Sequence, residues 1–335
     1  MRITQDLLHK FAAEIVKEHQ RREPDLHAAY LTGSLLREDP LLGGTTDIDL
    51  ILVHKYKVPL EREVEAITPE VSLDILHKHQ DEFRHPRQLR QNAWLGYPLT
   101  QSNILMYDTD HWLEFIQSSV SADFHSVDNV LARIQHFYDE ARDGWFSLLR
   151  SPAKNHLEWL DRYFDSLASA ANAVSGLIGP PLTTRRFLID FRQRIEALGV
   201  PQILAGFYGL SGFSDPHQDE LFEWHSAFYR DYTHILDNTT TPVHLCSCRQ
   251  AYYADGIKAL VESEDPGSAF WPLVRLWLDV QLTSLEKSLP QNSWEKLLES
   301  LQLTESSASV KIEALDAFLD TIEITLESWS ETYVG

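Results

Sequence analysis

Leu31-Thr32-Gly33-Ser34, and after a loop Thr46-Asp47-Ile48-Asp49-Leu50-Ile51-Leu52-Val53, decide the fold of this chain. A Gly-Ser pair leaves one apolar segment, and two aspartates at i and i+2 open another. In an extended strand, side chains alternate between faces, so Asp47 and Asp49 share one side while Ile48, Leu50 and Leu52 pack on the other. Two carboxylates on one face repel each other unless positive charge sits between them. Hard oxygen donors of this kind select Mg²⁺ or Mn²⁺. A Gly-Ser turn beside them offers backbone N–H groups and a hydroxyl to a phosphate. These are the parts of a metal-dependent phosphoryl- or nucleotidyl-transfer site.

A two-metal site calls for a third carboxylate, because two divalent cations need more than two anionic oxygens. Val71-Ser72-Leu73-Asp74-Ile75-Leu76 supplies it: Val71, Leu73 and Ile75 share one face and Asp74 lies on the other. A lone acid in an apolar strand is costly to bury without a partner. Pairing of this strand beside Ile48–Val53 would bring Asp74 to Asp47 and Asp49.

The order of Leu31–Ser34, Asp47–Leu50 and Leu73-Asp74-Ile75 resembles the nucleotidyltransferase superfamily that includes DNA polymerase β, and especially its small bacterial antibiotic-modifying branch. Asn103–Asp108 is similar to the strand that follows in many such enzymes. The resemblance covers roughly residues 1–118. The stretch between Ser34 and Asp47 is longer than the family pattern. By this resemblance Gly33 permits the tight turn, and Ser34 with neighbouring amides holds the β- and γ-phosphates of a nucleoside triphosphate. Asp47, Asp49 and Asp74 become the metal ligands and catalytic acids, with Mg²⁺ (or Mn²⁺) as cofactor and ATP or another nucleoside triphosphate as co-substrate. Arg37 could neutralise the leaving pyrophosphate, although an exposed loop arginine is an ordinary surface group.

The first third of the chain alternates helical and strand patterns. Leu7, Leu8, Phe11, Ala12, Ile15 and Val16 mark an amphipathic helix. Apolar runs at Ala28–Leu31, Ile48–Val53, Val71–Leu76 and Ile104–Tyr107 suit strands, Leu41–Thr45 a turn, and Trp112, Phe115 and Ile116 a short closing helix. From about residue 125 the helical period dominates, through Val130–Leu148, Leu157–Ile178, Phe187–Leu198, Leu221–Ile235, Tyr252–Val261, Phe270–Leu285 and Ile312–Trp329. Gly179-Pro180-Pro181 is placed as the stop of the second of these. The expected fold class is α+β: an N-terminal nucleotidyltransferase domain (1–118) with a small mixed sheet flanked by helices, and a C-terminal all-α bundle (125–335).

The 335 residues suffice for two cores. A net charge of −21 argues against a nucleic-acid partner, which is normally met by a basic face, and fits either solubility or a cationic small substrate. No window is apolar enough to span a bilayer, and the N-terminus lacks a signal-peptide pattern. Cys246 and Cys248 give no disulfide framework, so a cytoplasmic location is expected. His244-Leu245-Cys246-Ser247-Cys248 lacks the second cysteine pair of a structural zinc site. His77, His79 and His85 read as solvated surface histidines, and Thr183 or Thr184 as a helix cap. Glu158, Asp161, Asp165 and Asp190 are unranked candidates for a general base in the helical domain.

The reading that follows is an enzyme moving AMP from ATP to a hydroxyl of a small acceptor such as an aminoglycoside-like compound. The alternatives are a toxin-like or regulatory nucleotidyltransferase acting on tRNA or protein, and a catalytically inactive nucleotide-binding module. The sequence sets no oligomeric state.

Overall fold

The apolar runs become strands of one sheet in the computed structural model, which describes residues 3–236, 241–284 and 292–334. The strands are β1 (Leu26–Thr32), β2 (Thr46–His54), β3 (Arg62–Thr68), β4 (Val71–His79) and β5 (Leu105–Asp108). They lie in the order β3-β4-β2-β1-β5; β2 and β4 are parallel and the other neighbours antiparallel. The sheet is therefore mixed, as expected. Registers put Asp49 opposite Thr32 on β1 and opposite Asp74 on β4.

Helix α1 (Gln5–Arg22) starts where the Thr4 hydroxyl accepts the Leu7 N–H. Its apolar stripe, Leu8, Ala12 and Val16, packs on Leu31, Ile48, Leu50, Leu52, Leu73 and Ile75. The opposite face meets the short helices α2 (Pro86–Arg90) and α3 (Ala93–Gly96) and α4 (Trp112–Ser121) through Tyr30, Ile51, Val53, Phe83, Leu89, Leu113 and Ile116. Strand β2 is thus buried on both faces beyond Asp49, and its second face is polar only at its first residues.

The helices continue as α5 (Val127–Arg150), α6 (His156–Ser175), α7 (Phe187–Leu198), α8 (Pro201–Ser211), α9 (Gln218–Leu236), α10 (Gln250–Val261), α11 (Phe270–Thr283), α12 (Asn292–Ser300) and α13 (Ala308–Val334). Helix α6 ends at Ser175 with Gly176 as its cap, ahead of the Gly-Pro-Pro stop. Leu285 lies outside the described residues. Thr184–Arg186 is a 3₁₀ turn in which Thr183 makes no side-chain cap bond.

Two compact units result: Met1–Asn129 with Pro242–Ala259, and Val130–Thr241 with Leu260–Gly335. The sheet unit thus takes a segment that the sequence assigns to the helical domain. Its reason is local: Gly43 abuts the Asp255 carbonyl, and Arg249 is buried against strand carboxylates. In the helical unit, Trp271 stacks on Phe187 with ring centroids 4.3 Å apart and meets Phe207 at 5.2 Å and Phe164 at 5.6 Å. Each such pair contributes about 0.5–1.5 kcal/mol beyond its area burial. Helix α8 went unread because Gly206 and Gly209 interrupt its period. Gly206 is required, since a Cβ there would meet the Phe318 ring at 2.7 Å. No described helix is long and apolar enough to cross a membrane.

Candidate functional site

At the end of β1 the chain turns at Gly33, whose φ of +70° lies in the left-handed region open to glycine. A second constraint acts at the same atom. A Cβ at Gly33 would fall 1.7 Å from Asp49 Oδ2, so the backbone lies directly against that carboxylate. Gly33–Leu36 forms a 3₁₀ turn, and the Ser34 backbone N–H donates to Asp49. The Ser34 hydroxyl lies 3.0 Å from Thr46 Oγ1 and donates to Asp47 Oδ1 at 3.3 Å. Arg37 closes the turn, its N–H donating to the Ser34 carbonyl at 3.0 Å while its own carbonyl accepts from Gln5 Nε2 at 3.2 Å.

The parallel pairing of β2 and β4 brings Asp74 to the two aspartates of β2. One carboxylate oxygen from each of Asp47, Asp49 and Asp74 lies within 4.8 Å of the others. Asp47 and Asp74 are 4 % and 5 % exposed, which excludes bulk water as their main source of charge stabilisation. Burial, then Asp47, then Asp74 push the Asp49 carboxyl well above the ordinary carboxylate range. Such a group is short of positive charge.

Two arginines supply part of it. Arg249, buried at 3 % exposure, donates through Nη2 to Asp74 Oδ2 and lies 3.7 Å from Asp47 Oδ2. Its Nη1 donates to the Tyr253 hydroxyl at 3.3 Å, and its guanidinium sits 5.2 Å from the Tyr252 ring centroid. Arg62 on β3 forks onto the same acid, Nε to Oδ1 at 2.8 Å and Nη2 to Oδ2 at 2.5 Å. Burial opposes the Arg249 cation, but Tyr253, Asp47 and Asp74 outweigh it and hold its pKa above the ordinary value. The hydrogen bond that Arg62 donates to Asp74 does the same for Arg62.

The three aspartates, Gly33 and Ser34 therefore meet in one place. Arg249 and Arg62 were not legible beforehand: Arg249 follows Cys246-Ser247-Cys248 in a segment without period, and Arg62 sits on an edge strand exposed along both faces. The two cysteines, for which the sequence implies no disulfide, are bonded to one another, their Cα atoms 5.3 Å apart and within disulfide reach. His77 also departs from expectation. It is 2 % exposed and contacts His54 and Glu63, whereas His85 is exposed as expected. The carboxylates considered as general bases lie in the helical unit, each near an arginine. Arg162 meets Glu158 at 2.5 Å, Arg275 meets Asp161 and Asp165 at 2.8 and 3.1 Å, and Arg194 lies 3.9 Å from Asp190.

No protein-family model matches the chain. No curated protein matches it either. Among solved structures, it is similar to a nucleotidyltransferase-like protein from Exiguobacterium sibiricum 255-15. The likeness has 10% identity, covers 93% of this chain and 90% of that one, and has a TM-score of 0.31.

Proposed function

We propose that the chain is a Mg²⁺-dependent nucleotidyltransferase that moves a nucleoside monophosphate, AMP from ATP, to a hydroxyl of a small acceptor of the aminoglycoside-like class. One observation carries this reading: Asp47, Asp49 and Asp74 converge at a left-handed Gly33-Ser34 turn whose backbone touches Asp49. The donor set fits a hard divalent cation, being all carboxylate oxygen, and the charge-starved Asp49 carboxyl is the sign of that fit. Asp47, Asp49 and Asp74 would hold Mg²⁺, which supplies charge neutralisation at the α-phosphate and the leaving pyrophosphate when bound.

The chain's own groups do the rest. The Gly33 turn and the Ser34 hydroxyl would bind the β- and γ-phosphates, and Arg37 stands three residues on as a counter-charge. The acceptor oxygen attacks the α-phosphorus as the bond to the β-bridging oxygen breaks, and pyrophosphate leaves. Asp74 takes the acceptor proton once it is released from the guanidinium groups that hold it. Arg249 and Arg62 would have to yield Asp74 for it to serve as a ligand. The test is pyrophosphate release from each nucleoside triphosphate against aminoglycosides, tRNA and candidate proteins. Release with ATP and a small acceptor supports the reading; release with tRNA, weakening steeply with salt, replaces the acceptor class.

A second reading has its own observation. The Arg249 and Arg62 bridges already neutralise Asp74, as they would in a catalytically inactive nucleotide-binding module. Thermal stabilisation that requires ATP and Mg²⁺ together favours catalysis. No release with any acceptor, together with stabilisation by ATP irrespective of Mg²⁺, favours the module.

A further inference from the structure

The same two strands that carry the aspartates end in histidines on the other face. Parity along β2 puts His54 with Ile48, Leu50 and Leu52, and parity along β4 puts His77 with Leu73 and Ile75. Both therefore point to the α1 side, where that helix ends at Glu23. Glu23 Oε2, His54 Nε2 and His77 Nδ1 surround one point: the two ring nitrogens are 2.8 Å apart, and the carboxylate oxygen is 3.7 Å from His54 Nε2. The His54 and His77 side chains have no exposed surface, and Glu23 retains 20 %.

The far atom of each of these residues faces a further polar group. His77 Nε2 lies 2.8 Å from Glu63 Oε1, His54 Nδ1 lies 3.8 Å from Asp25 Oδ1, and Glu23 Oε1 lies 2.8 Å from His19 Nδ1. A carboxylate acceptor behind an imidazole places the proton on the far nitrogen and leaves the near one with a free lone pair. Applied to both rings, that rule turns two lone pairs toward each other across 2.8 Å. The alternative proton position, on His54 Nε2, leaves a bare Nδ1 facing a carboxylate. A buried atom at the shared point marks the conflict: Glu23 Oε2 makes no hydrogen bond. A cation at the shared point removes it, because both lone pairs and the carboxylate oxygen then have one partner.

We propose that Glu23, His54 and His77 form a zinc site separate from the aspartate triad, with Glu63, Asp25 and His19 orienting the ligands. Two imidazoles and one carboxylate suit Zn²⁺ rather than Mg²⁺, and three protein ligands leave a fourth tetrahedral position to solvent. The site ties the C-terminal end of α1 to the ends of β2 and β4. It stands whether or not the chain transfers nucleotides.

The full chain, stripped with chelator, incubated with Zn²⁺ and desalted, should retain about one zinc by elemental analysis. Asp47→Asn should retain it equally, which separates this site from the triad. Glu23→Gln, at the solvent edge of the site, should fold as judged by circular dichroism and lose the zinc. It should also lose the visible bands of tetrahedral Co²⁺. Glu63→Gln should weaken zinc about 10–100-fold in competition with a chromophoric chelator. The proposal is overturned if the parent chain retains no zinc, if Glu23→Gln retains it undiminished, or if Asp47→Asn alone abolishes retention.

Discussion

Two clusters of three aspartates each gather around an arginine, and they differ in what they can do. In the sheet unit, Asp47 and Asp74 meet Arg249, whose charge also acts on Asp49; in the helical unit, Asp161, Asp165 and Asp279 meet Arg275. The strand-borne acids converge, one oxygen of each within 4.8 Å of the others. Among the described residues no other three carboxylates do so. The helix-borne acids lie on α6 and α11, with Asp161 at one terminal nitrogen of the guanidinium and Asp165 and Asp279 at the other. Asp165 remains 65 % exposed, so solvent screens it. The number of acids is equal in the two places, while the first has a second arginine, Arg62. Convergence on a point, beside the left-handed Gly33 turn, makes the first a candidate for cation and phosphate chemistry.

Activity should break the symmetry most. Asp49→Asn is expected to cut pyrophosphate release by at least about 10³-fold, equivalent to roughly 4 kcal/mol of lost transition-state stabilisation. Asp165→Asn should change it less than about twofold. Equal losses in both variants would refute the distinction. Stability in the two arginine variants comes next. Arg249→Gln leaves buried carboxylates without their cation and should cost about 3 kcal/mol in urea unfolding, at the low end because Arg62 still holds Asp74. Millimolar Mg²⁺ should restore much of that loss. Arg275→Gln should lose less and gain nothing from Mg²⁺. A common response to the cation would show that both clusters are ion-pair devices.

The asymmetry between the clusters was half legible in the sequence. Period-two alternation fixed Asp47 and Asp49 to one face of β2, and the lone acid between Leu73 and Ile75 announced Asp74. The cations were not legible. Arg249 lies 175 residues beyond Asp74, and only tertiary folding brings them together. Strand β3 carries alternation too weak to see, because as an edge strand it is exposed on both faces, and with it Arg62 and Glu63 were hidden. His77 was misread as a surface group for a different reason. Its neighbours in His77-Lys78-His79-Gln80 are polar, but the β4 parity that buries Leu73 and Ile75 extends to it. Carrying the alternation two residues further would have found it.

Gly33 sharpens the comparison, since no other glycine among the described residues would bring a Cβ against a side-chain carboxylate. Gly33→Ala meets both a φ of +70° and a carboxylate 1.7 Å from the new Cβ. The expected loss is about 2 kcal/mol in urea unfolding, with Asp49 displaced and transfer reduced alongside. An unchanged midpoint with full transfer would mean that the turn tolerates another backbone path.

The smallest effect separates the clusters by pH. Burial pushes the Asp279 carboxyl up to about 6, and Arg275 offsets only part of that rise. The unfolded chain holds the same group near its ordinary value of about 3.9. Between these values the folded state binds more protons than the unfolded one, so stability falls as pH rises from about 4 to 6. The full shift sets a ceiling of nearly 3 kcal/mol, and about 1–2 kcal/mol is expected with the carboxyl 19 % exposed. Asp279→Asn should flatten that part of the urea midpoint against pH. Mg²⁺ should leave the slope unaltered, because these acids do not converge on a cation. A slope that Mg²⁺ abolishes would give the helical cluster the property assigned here to the triad alone.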